Sequence, residues 1–222
     1  VASNPDNPWL DPAVAAYCDA HTSTPDELLR ELITETAAAT GRRSVMQISP
    51  GQGVLMQLLA RSSGARFAVE VGTFTGYSSI CLARGMGPGS RLVCCDVSEE
   101  WTAIARRYWA RAGVADRIEL RLGPALDTLR ALPAGQVVDL AFIDADKHNY
   151  AAYYEELLAR LRPGGLLLID NTLWYRKVLE PAAEDDADTA ALQALNDALA
   201  HDERVEVVLL PISDGLTVVQ KR

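Results

Sequence analysis

The chain has 222 residues, of which 49% are hydrophobic and 23% charged, with a formal net charge of −9. That length fits one domain whose core needs no disulfide or metal staple. The acidic balance argues against non-specific nucleic-acid binding and against anionic membrane surfaces, both of which need a basic footprint. No stretch reads as a signal peptide or a membrane span.

The first third reads as helices. Pro12 to Ala20 is a short apolar-rich helix or turn. Thr24, Pro25 and Glu27 form a capping-box pattern for a helix that runs to Thr40 and stops at Gly41. Ser49-Pro50 opens another, with Val54, Leu55, Leu58 and Leu59 at helical spacing, ending near Ser63-Gly64.

From Phe67 strands alternate with helices. The predicted strands are Phe67 to Val71, Arg91 to Cys95, Arg117 to Arg121, Val137 to Ile143 and Leu166 to Ile169. Between them lie helices at Tyr77 to Met86, Ser98 to Ala112 with Ser98 as N-cap, Pro124 to Leu132, and Tyr150 to Leu161. Arg162-Pro-Gly-Gly165 reads as a turn, and Asn171 to Asp188 as a surface loop. A helix at Ala190 to Leu199 then precedes two strands, Val205 to Leu210 and Leu216 to Val219, expected to be antiparallel.

Such alternation implies a parallel sheet covered on both faces, with all parallel strand ends on one edge. Ligands bind at that edge, near the point where strand order reverses. Gly72, Asp96, Gly123, Asp144 and Asp170 all fall at or just past strand ends.

Cys18, Cys81, Cys94 and Cys95 lack C-x-x-C spacing and companion histidines, so no zinc site is expected. The last three sit in apolar patterns and read as small buried hydrophobes, which fits a reduced, cytoplasmic compartment. His21, His148 and His201 are isolated in sequence and read as surface or satisfied side chains.

The chemistry-bearing residues form two groups. Glu70-x-Gly72-x-x-x-Gly76 follows a strand and precedes a helix, and its glycines let backbone approach a ligand. It is not the G-x-G-x-x-G fingerprint, so a nicotinamide dinucleotide is disfavoured. The acid would repel a pyrophosphate but suits a cationic ligand such as a sulfonium bearing an amino group. Asp96 is placed to accept both hydroxyls of a ribose, and Gly123-Pro-Ala125 to line an adenine. In the second group, Asp144, Asp170 and Asn171 supply three hard oxygens of the kind Mg²⁺ takes. They would leave open positions, two of which suit a vicinal diol. Asp146 is close enough to reach cofactor or substrate. Lys147 is one of only three lysines, with Lys177 and Lys221, and is lodged in an apolar-flanked motif.

Glu70-Val-Gly-Thr-Phe-Thr-Gly-Tyr-Ser78, Phe142-Ile-Asp-Ala-Asp-Lys-His-Asn-Tyr150, Gly164-Gly165, Asp170-Asn-Thr-Leu-Trp174 and Asp214-Gly-Leu-Thr217 together resemble the caffeoyl-CoA / catechol O-methyltransferase family, a class I S-adenosylmethionine-dependent branch. The resemblance runs from about Tyr17 to the end. It implies an α/β, Rossmann-like methyltransferase sheet with helices on both faces, an antiparallel C-terminal strand and an N-terminal helical extension. One domain would span 1–222, with 1–64 the helical part and 65–222 the core, and the protein would be a homodimer. It implies that Met46, Ile48, Glu70, Gly72, Thr73, Ser78, Asp96, Ala125 and Asp146 contact S-adenosylmethionine. By the same token Asp144, Asp170 and Asn171 hold Mg²⁺ (or Ca²⁺ or Mn²⁺), Lys147 is the base, and Asp144, Trp174 and Tyr175 face the substrate.

Two departures bear on the acceptor. Tyr175-Arg176 stands where plant members have Asn-Gly, and the N-terminal arm lacks the plant pattern that holds a CoA tail. Both point to a small phenol or catechol of secondary metabolism rather than caffeoyl-CoA itself. The alternatives are a thioester acceptor, a hydroxylated uridine of tRNA, which the charge disfavours, and a non-catalytic binding module, which the intact Lys147 and ligand set disfavour.

Overall fold

The computed structural model describes residues 11–222. The first ten residues of the expected helical part, including the start of the arm, lie outside the described residues. Helix α1 covers Pro12–Ala20, α2 Glu27–Thr40 and α3 Pro50–Ser62. Ser49 caps α3 as its sequence suggests, accepting the Gln52 N–H at 3.3 Å. The start of α2 differs from expectation. Asp26, not Thr24, is its N-cap and accepts the Leu29 N–H at 3.0 Å. A carboxylate is favoured there because it meets both an orphan donor and the positive end of the helix. Pro25 therefore precedes the helix, and its carbonyl accepts Arg30 Nη1 at 2.6 Å.

The core consists of β1 Phe67–Val71, α4 Tyr77–Met86, β2 Arg91–Asp96, α5 Glu99–Arg111, β3 Ile118–Leu122, α6 Ala125–Ala131, β4 Val138–Ile143, α7 Tyr150–Arg160, β5 Leu161–Ile169, α8 Ala187–Ala200, β6 Val205–Leu210 and β7 Leu216–Lys221. They form one seven-stranded sheet in the order β3-β2-β1-β4-β5-β7-β6. The first five strands run parallel, and β7 is antiparallel to both β5 and β6. Chain order reverses between β1 and β4, so the crevice expected of such a sheet opens at their C-terminal ends.

Period-two alternation sorts the strands onto two apolar layers. Ala68, Cys94, Leu140 and Phe142 face the side packed by α2 to α5, with Met56, Ile80, Tyr108 and Trp109. Val69, Val71, Cys95, Ala141 and Ile143 face the side packed by α6 to α8, with Leu129, Tyr150, Leu157 and Leu192. Cys81, Cys94 and Cys95 are buried free thiols, and Cys18 is exposed. Among the described residues no helix is long and apolar enough to cross a membrane.

Two further boundaries moved. Arg162-Pro-Gly-Gly165 is not a free turn but the irregular start of β5, with a register shift against β4 between Val138 and Leu140. Arg162 holds it there, donating from Nε to Asp139 Oδ1 at 2.7 Å and from Nη2 to the Ser63 carbonyl at 2.9 Å. The expected loop over Asn171 to Asp188 contains a 3₁₀ turn at Trp174–Leu179, and Asp186 starts α8 three residues early by accepting the Thr189 N–H at 3.1 Å.

Candidate active site

Gly72 makes the crevice possible. Its φ is +93°, and a Cβ there would stand 1.9 Å from the Asp144 carbonyl oxygen. The ends of β1 and β4 therefore meet only because this residue has no side chain. Two cavities open along this edge. The larger, about 520 Å³, is lined by Gly72, Asp96, Trp101, Gly123, Pro124, Ala125, Asp146 and Tyr153 among others. The smaller, about 300 Å³, is lined by residues that include Ile48, Gln52, Lys147, Asp170, Asn171, Trp174 and Tyr175. Met46, Asp144, Ala145 and Asp146 border both.

In the larger cavity Asp96 is held rigidly. Its Oδ2 accepts the Thr73 and Phe74 N–H groups at 2.9 and 2.8 Å, and its Oδ1 accepts the Ser98 N–H at 2.7 Å. Trp101 forms one wall, edge-on to Phe74 at 5.0 Å, with the Arg43 guanidinium 5.8 Å from its ring. Asp146 accepts the Tyr153 hydroxyl at 2.6 Å and the Asn149 amide at 2.5 Å, and His148 Nε2 lies 3.0 Å away. His148 is thus a satisfied surface histidine. Glu70, Thr73 and Ser78 do not line the cavity. They are buried on β1, just after it and in the first turn of α4 respectively, and burial pushes the Glu70 carboxyl up to about 8 despite nearby Ser78, Cys94 and Thr73. Ile48 lies on the wall of the smaller cavity.

The smaller cavity centres on Lys147, which is only 7% exposed. Its ammonium donates to Asp144 Oδ1 at 3.2 Å, Asn171 Oδ1 at 2.6 Å and the Tyr150 hydroxyl at 2.5 Å, and lies 5.5 Å from the Trp174 ring centre. Asp170, 3% exposed, accepts the Asn171 N–H at 2.9 Å. Burial and then the charge of Asp144 raise its carboxyl to about 7. Burial also raises the Tyr150 phenol well above its usual range, with the Asp144 charge adding to the effect.

The loop after β5 is wound to present these groups. Asn171, Trp174, Tyr175 and Arg176 all have positive φ. Thr172 and Leu173 N–H groups donate to the carbonyls of Gly215 and Asp214 at 3.0 and 2.9 Å, and Tyr175 N–H to Asp214 Oδ1 at 2.6 Å. Gly215, at φ +90°, admits this strap, since a Cβ there would fall 2.6 Å from Leu173 N. Trp174 and Tyr175 rings stand 5.8 Å apart.

The oxygens fit a divalent cation. They comprise two carboxylates and a carboxamide, and two of them already share a bound ammonium, which marks a centre that accepts positive charge. Among the described residues no three His, Cys, Asp or Glu side chains form a group that could hold a metal ion, so a site here would draw its third ligand from the Asn171 carboxamide.

Sequence reasoning missed Gln52, Trp101, Tyr150 and Tyr153. Tyr153 was within reach of it, because it lies one helical turn beyond Asn149 on α7. Gln52 and Trp101 come from helices distant in sequence and carried no signal of their own.

Comparison with known proteins identifies the family. The O-methyltransferase family model matches residues 19–222. The chain belongs to that family. It is 38% identical over 212 residues to the probable caffeoyl-CoA O-methyltransferase 2 of Dictyostelium discoideum, covering 94% of this chain and 91% of that one. It is 41% identical over 180 residues to the catechol O-methyltransferase of Mycobacterium tuberculosis, covering 81% and 80%. Its fold matches an O-methyltransferase from Bacillus cereus, solved with S-adenosylhomocysteine, at a TM-score of 0.85 and 34% identity over 95% of this chain and 97% of that one. The protein is therefore an S-adenosylmethionine-dependent O-methyltransferase of the caffeoyl-CoA/catechol type.

Proposed function

We propose that this O-methyltransferase methylates one hydroxyl of a small catechol-like phenol in a reaction that requires a divalent cation, Mg²⁺ or alternatively Ca²⁺ or Mn²⁺. The observation that carries the reading is the meeting of Asp144, Asn171 and Lys147 around one point, with Asp170 beside them. When bound, such a cation lowers the pKa of a chelated hydroxyl.

The chain's own groups do the rest. Asp144, Asp170 and Asn171 would hold the cation, and Lys147, once its ammonium has shed a proton to solvent to become the neutral amine, would receive the hydroxyl proton at Nζ. Tyr150 and Trp174 fix the direction of the Lys147 side chain. Trp174 and Tyr175 wall the phenolic ring. In the larger cavity Asp96 accepts the ribose hydroxyls of the methyl donor, Gly123 to Ala125 line its adenine, and Asp146 takes its amino group. Asp144 to Asp146 border both cavities, which supports transfer across a short gap between two oriented reactants. A volume of about 300 Å³ on the acceptor side favours a single substituted ring over a CoA thioester.

A screen of phenols with labelled methyl donor tests this. Turnover on vicinal diols should vanish in excess EDTA and return with Mg²⁺. Full activity in EDTA would sink the cation reading while leaving methyl transfer intact.

A further inference from the structure

Gln52 stands in the first turn of α3 and is wholly inaccessible to solvent. Neither its Nε2 nor its Oε1 makes a hydrogen bond of good geometry within the protein, although the carboxamide lies near enough to Asp170 to favour that residue's charged form. Burying an unpaired carboxamide disfavours the folded state, and native proteins rarely retain one without a use. This one reaches the wall of the smaller cavity, against the Asp170 carboxylate. Its backbone is fixed there. Ser49 Oγ accepts the Gln52 N–H at 3.3 Å and is itself paired with Ser213 Oγ at 2.8 Å, on the segment that straps the Asn171 loop.

Asp170 needs such a neighbour. Lys147 donates to Asp144 and Asn171, the other two members of the oxygen set. Asp170 accepts the Asn171 N–H on Oδ1. A neutral donor from α3 would complete its environment without adding a charge that repels a cation.

We propose that Gln52 is a positioning residue for the cation site, its carboxamide N–H engaging Asp170 and holding that carboxylate toward the cation when one binds. The assignment rests on the cation reading of Asp144, Asp170 and Asn171. It explains why a polar group without a well-formed hydrogen bond within the protein is kept inside it. Residues that orient a metal-bound carboxylate are worth about tenfold or more in metal affinity.

The test is Mn²⁺ titration of the full chain by electron paramagnetic resonance, comparing wild type with Gln52→Met, which keeps length and shape but removes the donor. The Mn²⁺ Kd should rise about tenfold, with the S-adenosylmethionine Kd changed by less than about twofold. The melting temperature without metal should stay level or rise, because an unpaired buried amide has been removed. Unchanged Mn²⁺ affinity in Gln52→Met would overturn the proposal. So would failure of that variant to fold, which would assign Gln52 to packing. Wild type that binds no Mn²⁺ would overturn the cation reading itself, and this assignment with it, a result distinct from equal binding by both proteins.

Discussion

Glu70 offers a sharp test of the physics beneath the crevice. It is fully buried on β1, and burial raises its carboxyl from 4.5 to about 8. Between those values the folded protein holds a proton that the unfolded chain releases. Stability therefore falls as pH rises through this window, the reverse of the usual salt-bridged carboxylate. At about 1.4 kcal/mol per unit, the loss attributable to Glu70 grows by about 4 kcal/mol between pH 5 and pH 8.5. Glu70→Gln keeps the shape and carries no titrating proton. Urea denaturation of both proteins at the two pH values measures the gap, and any constant packing difference cancels. The variant should gain on wild type as pH rises. Curves that stay parallel within about 1 kcal/mol would refute the claim that Glu70 is protonated at neutral pH in the free protein.

Other expectations bear on the site and the crevice. Asp170→Ala should abolish cation-dependent turnover yet leave S-adenosylmethionine affinity, read by calorimetry, largely intact, since Asp170 does not line the larger cavity. Lys147→Ala should lower kcat by about 10²- to 10⁴-fold with a much smaller change in KM, and an unchanged kcat would remove it as the base. Gly72→Ala drives a Cβ to 1.9 Å from a backbone oxygen. It should cost more than about 3 kcal/mol in thermal or denaturant unfolding, and a variant of wild-type stability would mean that β1 and β4 can separate cheaply.

Much of the fold was legible because its signals are local. Ser49 and Ser98 cap the helices that follow them, and the apolar runs of β1 and β4 mark strands buried on both faces. The misplaced boundaries have a common cause. At Thr24 a good capping pattern lost to Asp26 two residues later. At Arg162 a Pro-Gly-Gly turn signal lost to Asp139, which holds that segment from 23 residues away in sequence. Local propensity does not register such partners.

The site divides in the same way. The spacing of Asp144, Lys147, Asp170 and Asn171 at two strand ends was written in the chain, because parallel strands joined by right-handed crossovers bring their C-terminal ends to one edge. Which of these groups touch, that Glu70 and Ser78 are buried outside the cavity lining, and that Gln52 from a remote helix comes up to Asp170 were decided only by packing. The sequence by itself determined the order of elements and the oxygen donors at the sheet edge, since both follow from periodicity and turn chemistry. The tertiary structure alone decided the environment of each donor, because burial and neighbouring charge depend on contacts between segments far apart in the chain.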